Sequence, residues 1–117
     1  MLIAIIALGI ISTFLINSSY SHLEGHLRTI EELASAEKWD DIPEELDKLD
    51  TDWSNKKAWL RPMLDHRDVN LTSIPIESMK TYAAFRNREQ FLLQCRLLDD
   101  VIRTVKENQS FNFINIF

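Results

Sequence analysis

The first sixteen residues constrain this chain more than any other stretch. Leu2 to Ile16 is apolar apart from Gly9, Ser12 and Thr13, and no charged side chain occurs before Glu24. A helix on the surface of a soluble domain shows a polar face every few residues, and this segment shows none. It is shorter than the roughly 20 residues that cross a bilayer, but Asn17, Ser18, Ser19 and Tyr20 are uncharged and complete the crossing at the interface, where Tyr is at home. The expectation is a transmembrane anchor over residues 1–21.

A cleaved signal peptide is the competing reading, because Ser19 and Ser21 place small residues at the spacing a signal peptidase recognises. Two features favour an anchor. No Lys or Arg precedes the apolar run, and the apolar pattern continues past the cut. Tyr20, Leu23, Leu27, Ile30 and Ala34 follow at spacings of 3, 4, 3 and 4, one stripe of a helix that runs on from the membrane. Arg28 is the nearest flanking base, so charge leaves the orientation across the membrane open.

The remainder is long enough for one domain and no more. Only two Gly and three Pro occur in 117 residues, which predicts few turns and long elements. Trp39, Ile42, Leu46, Leu49, Trp53, Leu60 and Met63 form a second helical stripe, with Lys56 at its one missing apolar position. Asp40 and Asp41 suit its start, Pro43 fits its first turn, and Pro62 predicts a break around Arg61. Val69, Ile74, Met79, Tyr82, Ala83 and Phe85 mark a third run, expected as two shorter pieces with the second starting near Pro75 and Ser73 as its cap. Arg86, Asn87 and Arg88 make a turn. Phe91, Cys95, Leu98, Ile102 and Val105 give a fourth helix, expected to end near Asn108.

The fold expected is therefore all-α: a single N-terminal transmembrane helix continuing into a small bundle of two helical hairpins over residues 22–110. An apolar tail follows over residues 111–117.

Charge is unevenly placed along the chain. Glu24 to Asp52 holds eleven acids against three bases, and Lys56 to Glu107 holds ten bases against seven acids, giving −8 and +3 within the overall −5. Pairing of the two halves inside one fold is the expected use of this asymmetry, with an acidic docking face as the alternative. Nucleic acid is not an expected partner, since the bases are neither in excess nor interleaved with aromatics.

Few residues suggest chemistry. His22 and His26 lie four apart and are the candidates for a metal, but a metalloprotease helix needs Glu directly after the first His, and Glu24 projects away from both. Asp65, His66 and Asp68 resemble a base with its orienting carboxylate, yet no nucleophile sits in a recognisable turn; Asp65 is expected to cap a helix instead. Cys95 lies on an apolar stripe and is expected in the core. No catalytic residue and no cofactor is assigned. Trp59 falls just beside its stripe and is a candidate for a partner interface. So are Phe111, Phe113, Ile114, Ile116 and Phe117, because a free tail of that composition would aggregate unless covered.

The stretch Leu64, Asp65, His66, Arg67, Asp68, Val69, followed by Ile74, Ile76, Met79, Lys80 and Tyr82, resembles an uncharacterised family of short bacterial proteins common in spore-forming Firmicutes, a domain of unknown function. The closing Asn115, Ile116 and Phe117 and the positions of Trp39, Trp53 and Trp59 are similar too. The resemblance implies one membrane segment, a helical part outside the cytoplasmic membrane, and an accessory role beside a larger multi-pass membrane protein. The chain departs from the family in lacking Lys or Arg before its apolar run.

The function expected is that of a non-enzymatic, membrane-anchored interaction subunit, with homo-oligomerisation also open. The alternative is an extracytoplasmic ligand- or metal-binding sensor domain using His22, His26 or His66.

Overall fold

The computed structural model describes residues 1–116, with side chains described through residue 109. Four helices follow in order: α1 (Leu2–Ser35), α2 (Ile42–Leu60), α3 (His66–Ala84) and α4 (Arg88–Ile116), with no strand among the described residues. They form an up-down-up-down bundle in which α1 packs on α2 and α4, and α3 packs on α2 and α4. The expected all-α architecture of two helical hairpins is what the chain adopts.

α1 has two environments and no break between them. Up to Leu15 its side chains are exposed or partly exposed, with Leu2, Ile3, Ile5, Leu8, Ile11 and Phe14 standing free. From Ile16 onward Tyr20, Leu23, Leu27, Ile30 and Ala34 are buried in the bundle core. The helix is long and apolar enough to cross a membrane. Its 34 residues span about 51 Å at 1.5 Å per residue, close to the 53 Å long axis of the molecule. Burial in the bundle core thus begins at Ile16, within the segment 1–21 expected as the anchor and with no break in the helix.

The turns are set by local chemistry. α1 ends in a Schellman motif: Lys38 N–H reaches Leu33 O at 2.9 Å and Glu37 N–H reaches Ala34 O at 3.1 Å. Glu37 supplies the left-handed residue, with φ of 56°. α3 ends the same way, with Arg86 at φ 51° and Asn87 N–H on Tyr82 O at 3.0 Å. Asn87 then accepts from Gln90 N–H at 3.2 Å and caps α4. Pro43 sits in the first turn of α2, and the helix stops at Leu60, just ahead of Pro62. Asp65 caps α3 by accepting from Arg67 N–H at 3.2 Å.

Three expectations need correction. The second helix starts at Ile42, so Trp39 lies in the preceding turn, half-buried and edge-on to Phe91 with ring centroids 5.7 Å apart. α3 is one helix with Pro75 inside it, and Ser73 is no cap. The lost backbone bond is offset by burial of Val69, Thr72, Pro75, Ile76 and Met79 on one face. Ile74 and Phe85, expected on that face, are 60% and 77% exposed. α4 does not stop near Asn108 but continues through Ile116, so the expected tail begins as part of a helix.

The two oppositely charged halves do pair. Lys80 meets Asp50 at 2.8 Å, Arg86 meets Asp40 at 2.9 Å and Lys106 meets Glu24 at 3.6 Å.

Candidate functional site

The most organised polar chemistry lies in the half of the bundle nearest the exposed part of α1. It begins with two neighbouring hydroxyls on α3. Thr72 donates to Asp68 O at 2.7 Å, and Ser73 donates to Val69 O at 3.0 Å. Each hydroxyl has a single proton, so both oxygens are left as acceptors. Tyr20 of α1 donates to Thr72 Oγ1 at 2.8 Å, and Trp53 Nε1 of α2 donates to Ser73 Oγ at 2.9 Å. The two rings meet edge to face at 5.9 Å. Three helices are thereby joined at one level, and the Tyr20–Thr72 bond crosses the bundle between helices whose backbones do not pack together.

Beside this layer, Lys56 of α2 turns into the seam with α1 and is 8% exposed. Its ammonium donates to Asp52 Oδ2 at 2.8 Å, His22 Nδ1 at 3.0 Å and Ser19 O at 3.4 Å, which uses all three of its protons. Nδ1 of His22 therefore accepts, and its proton belongs on Nε2. His26 Nε2 lies 3.5 Å from the same Asp52 oxygen. The lysine thus stands between His22 and Asp52. Among the described residues no group of three His, Cys, Asp or Glu side chains converges on one point. His22 and His26 are brought to the same seam but are held by different partners.

A satisfied ammonium beside a neutralising carboxylate is neither a nucleophile nor a proton donor poised over a cleft. What this cluster does is fix the register of α1 against α2. A one-turn slip would bury an unpaired charge, which costs several kcal/mol, about 3–5 on removal of one partner. Other polar groups outside this cluster are few: Asp65 and His66 are exposed at the α2–α3 turn, and Asp65 is used in capping α3. Cys95 is buried, and burial pushes its thiol up to about 12, away from reactivity.

The grooves between helices are open and mostly charged. One, between α1 and α4, is lined by Glu31, Ser35, Leu92, Arg96 and Asp99. Burial there, followed by the charge of Asp99, raises Glu31 above the usual carboxylate value. Another, between α3 and α4, is lined by Leu71, Leu97 and Val101 with Asp68, Asp100 and Thr104 around them.

Trp59 is 42% exposed near the end of α2. The side chains of Phe111, Phe113, Ile114 and Ile116, and all of Phe117, lie outside the described residues. Sequence spacing alone does not pair Tyr20 with Thr72 or Trp53 with Ser73. Thr72 was findable in principle, since it shares the 3 and 4 spacing of Val69, Ile76 and Met79.

These features define a small helical-bundle protein whose first helix doubles as a candidate membrane span. The chain belongs to the family described as Domain of unknown function (DUF4363), whose model matches residues 10–116. No curated protein and no solved structure matches it significantly.

Proposed function

We propose that the chain is a non-enzymatic accessory subunit, held by α1 in the cytoplasmic membrane of a bacterium with its bundle outside, and packed on a larger multi-pass membrane protein. One observation carries this reading: the exposed apolar half of α1 continues into the bundle core without a linker. A bundle joined this way keeps one height and angle over the bilayer, which suits a fixed place in an assembly better than a tethered search for ligand. The polar layer and the Lys56 seam support the same reading, because their groups are consumed in holding the helices together rather than presented in a pocket.

The proposed contacts are the apolar residues Phe111, Phe113, Ile114, Ile116 and Phe117. The test is purification of the full chain from its native membrane in mild detergent. A larger membrane protein should co-purify in stable ratio, and deletion of residues 111–117 should weaken that association. A chain that purifies alone, with the deletion altering only its melting temperature, would refute the role.

A further inference from the structure

The bundle has a basic end and an acidic end, and the basic one faces the apolar half of α1. Because α2 runs antiparallel to α1, its residues descend toward that half: Trp53 lies beside Tyr20, and Lys56 reaches Ser19 and His22. One more turn of α2 and the turn to α3 therefore lie level with residues about 13 to 18 of α1, by the 1.5 Å rise per residue. That is where α1 passes from bundle core to exposed apolar helix.

This segment, Lys56 to Asp68, carries four bases against two acids. Lys56 is consumed in its seam, and Asp65 caps α3. Arg61 and Arg67 are exposed and Lys57 is half-buried, and none of the three forms an ion pair among the described residues. Elsewhere the bases are mostly engaged, as Arg28, Lys48, Lys80, Arg86, Arg103 and Lys106 all have acidic partners. Trp59 adds an aromatic in the right place. It follows Asp52 and Lys56 at spacings of 4 and 3 on α2, so it lies on the stripe that faces α1, and it remains 42% exposed at the level where α1 becomes apolar.

We infer that the end of α2 and the α2–α3 turn form a docking surface for anionic phospholipid headgroups, with Arg61, Arg67 and Lys57 meeting phosphate and Trp59 seated in the interface. The inference rests on the reading of α1 as a membrane span. Unpaired bases next to an anionic surface gain roughly fivefold each in local affinity, and Trp prefers the headgroup level. The occupant is the bilayer that α1 itself enters, since the basic groups and Trp59 lie at the level where that helix passes from buried core to exposed apolar surface. A second contact of this kind would stop the bundle from rotating about the axis of the single span.

The test uses the full chain reconstituted into phosphatidylcholine vesicles, with and without phosphatidylglycerol at about one lipid in three, an anionic surface of the kind that attracts basic segments. Brominated lipid serves as quencher, and the Trp59 signal is taken as the difference from Trp59→Phe. Trp59 should be quenched by lipid in both vesicles and more strongly in the anionic ones. The anionic increment should disappear in the Arg61→Gln/Arg67→Gln variant and survive in Lys38→Gln/Arg88→Gln, which loses equal charge far from the turn. Two results would overturn the inference while leaving the anchor intact: Trp59 open to aqueous acrylamide and indifferent to lipid, or equal loss in both charge variants. Release of the protein from the vesicles by alkaline extraction would contradict the anchor reading itself and remove the inference with it.

Discussion

Thr72 and Ser73 are the residues on which the bundle interior turns. A threonine at a fully buried position is tolerated because both halves of its hydroxyl are used, the proton on Asp68 O and the lone pair on Tyr20. The bond is consequently asymmetric to deletion. Tyr20→Phe removes one donor and leaves Thr72 still bonded, so it should cost about 1 kcal/mol. Thr72→Val leaves the Tyr20 hydroxyl buried without an acceptor and should cost about 2 kcal/mol or more. Chemical denaturation of the full chain in detergent would check the order, and equal costs would contradict the assignment. Glu31 gives a pH-dependent counterpart. Burial raises its folded-state value above the unfolded one, so the stability it contributes is complete below the ordinary carboxylate range and is lost as pH rises through the raised value. Glu31→Gln should therefore be more stable than the native chain at neutral pH and level with it in strong acid. Melting temperature against pH would show a converging pair of curves, and parallel curves would contradict the burial.

At the scale of the elements, much of the bundle was legible in the sequence. The stripes from Tyr20 to Ala34 and from Phe91 to Val105 are buried throughout, because apolar residues at spacings of 3 and 4 have one face to bury and the neighbouring helices supply it. The break at Pro62 and the cap at Asp65 followed from local chemistry. What stayed hidden were decisions made by neighbours. Periodicity alone could not show that Pro75 would be held inside a helix by its buried face, nor that Ile74 would face outward while Thr72 faced in. Nor could spacing reveal that Lys56 would find His22 and Ser19 as well as Asp52, since two of those partners lie on another helix. The turns carry a further trace of strain. Glu37 and Arg86 occupy left-handed positions that Gly fills more readily. Glu37→Gly should stabilise the chain by about 0.5–1 kcal/mol, the left-handed penalty less the entropy Gly adds to the unfolded state. A fall in the denaturation midpoint would contradict the Schellman geometry at the end of α1.

The whole molecule is one long helix whose second half packs on α2 and α4, with α3 packed on those two. Its charges sort along the same axis, acids around the far end of α1 and the start of α2, unpaired bases at the end that faces the apolar half. The apolar segment, the basic turn and the core thus follow one another along the long axis, and the proposed role depends on α1 being continuous through Asn17, Ser18 and Ser19, where its surroundings change. Amide hydrogen exchange of the full chain in lipid nanodiscs measures that continuity most directly. The account predicts protection running without interruption from the apolar segment through residues 17–21 and on to Ala34. Rapid exchange confined to residues 17–21 would reveal a flexible joint and contradict the rigid connection between membrane span and bundle.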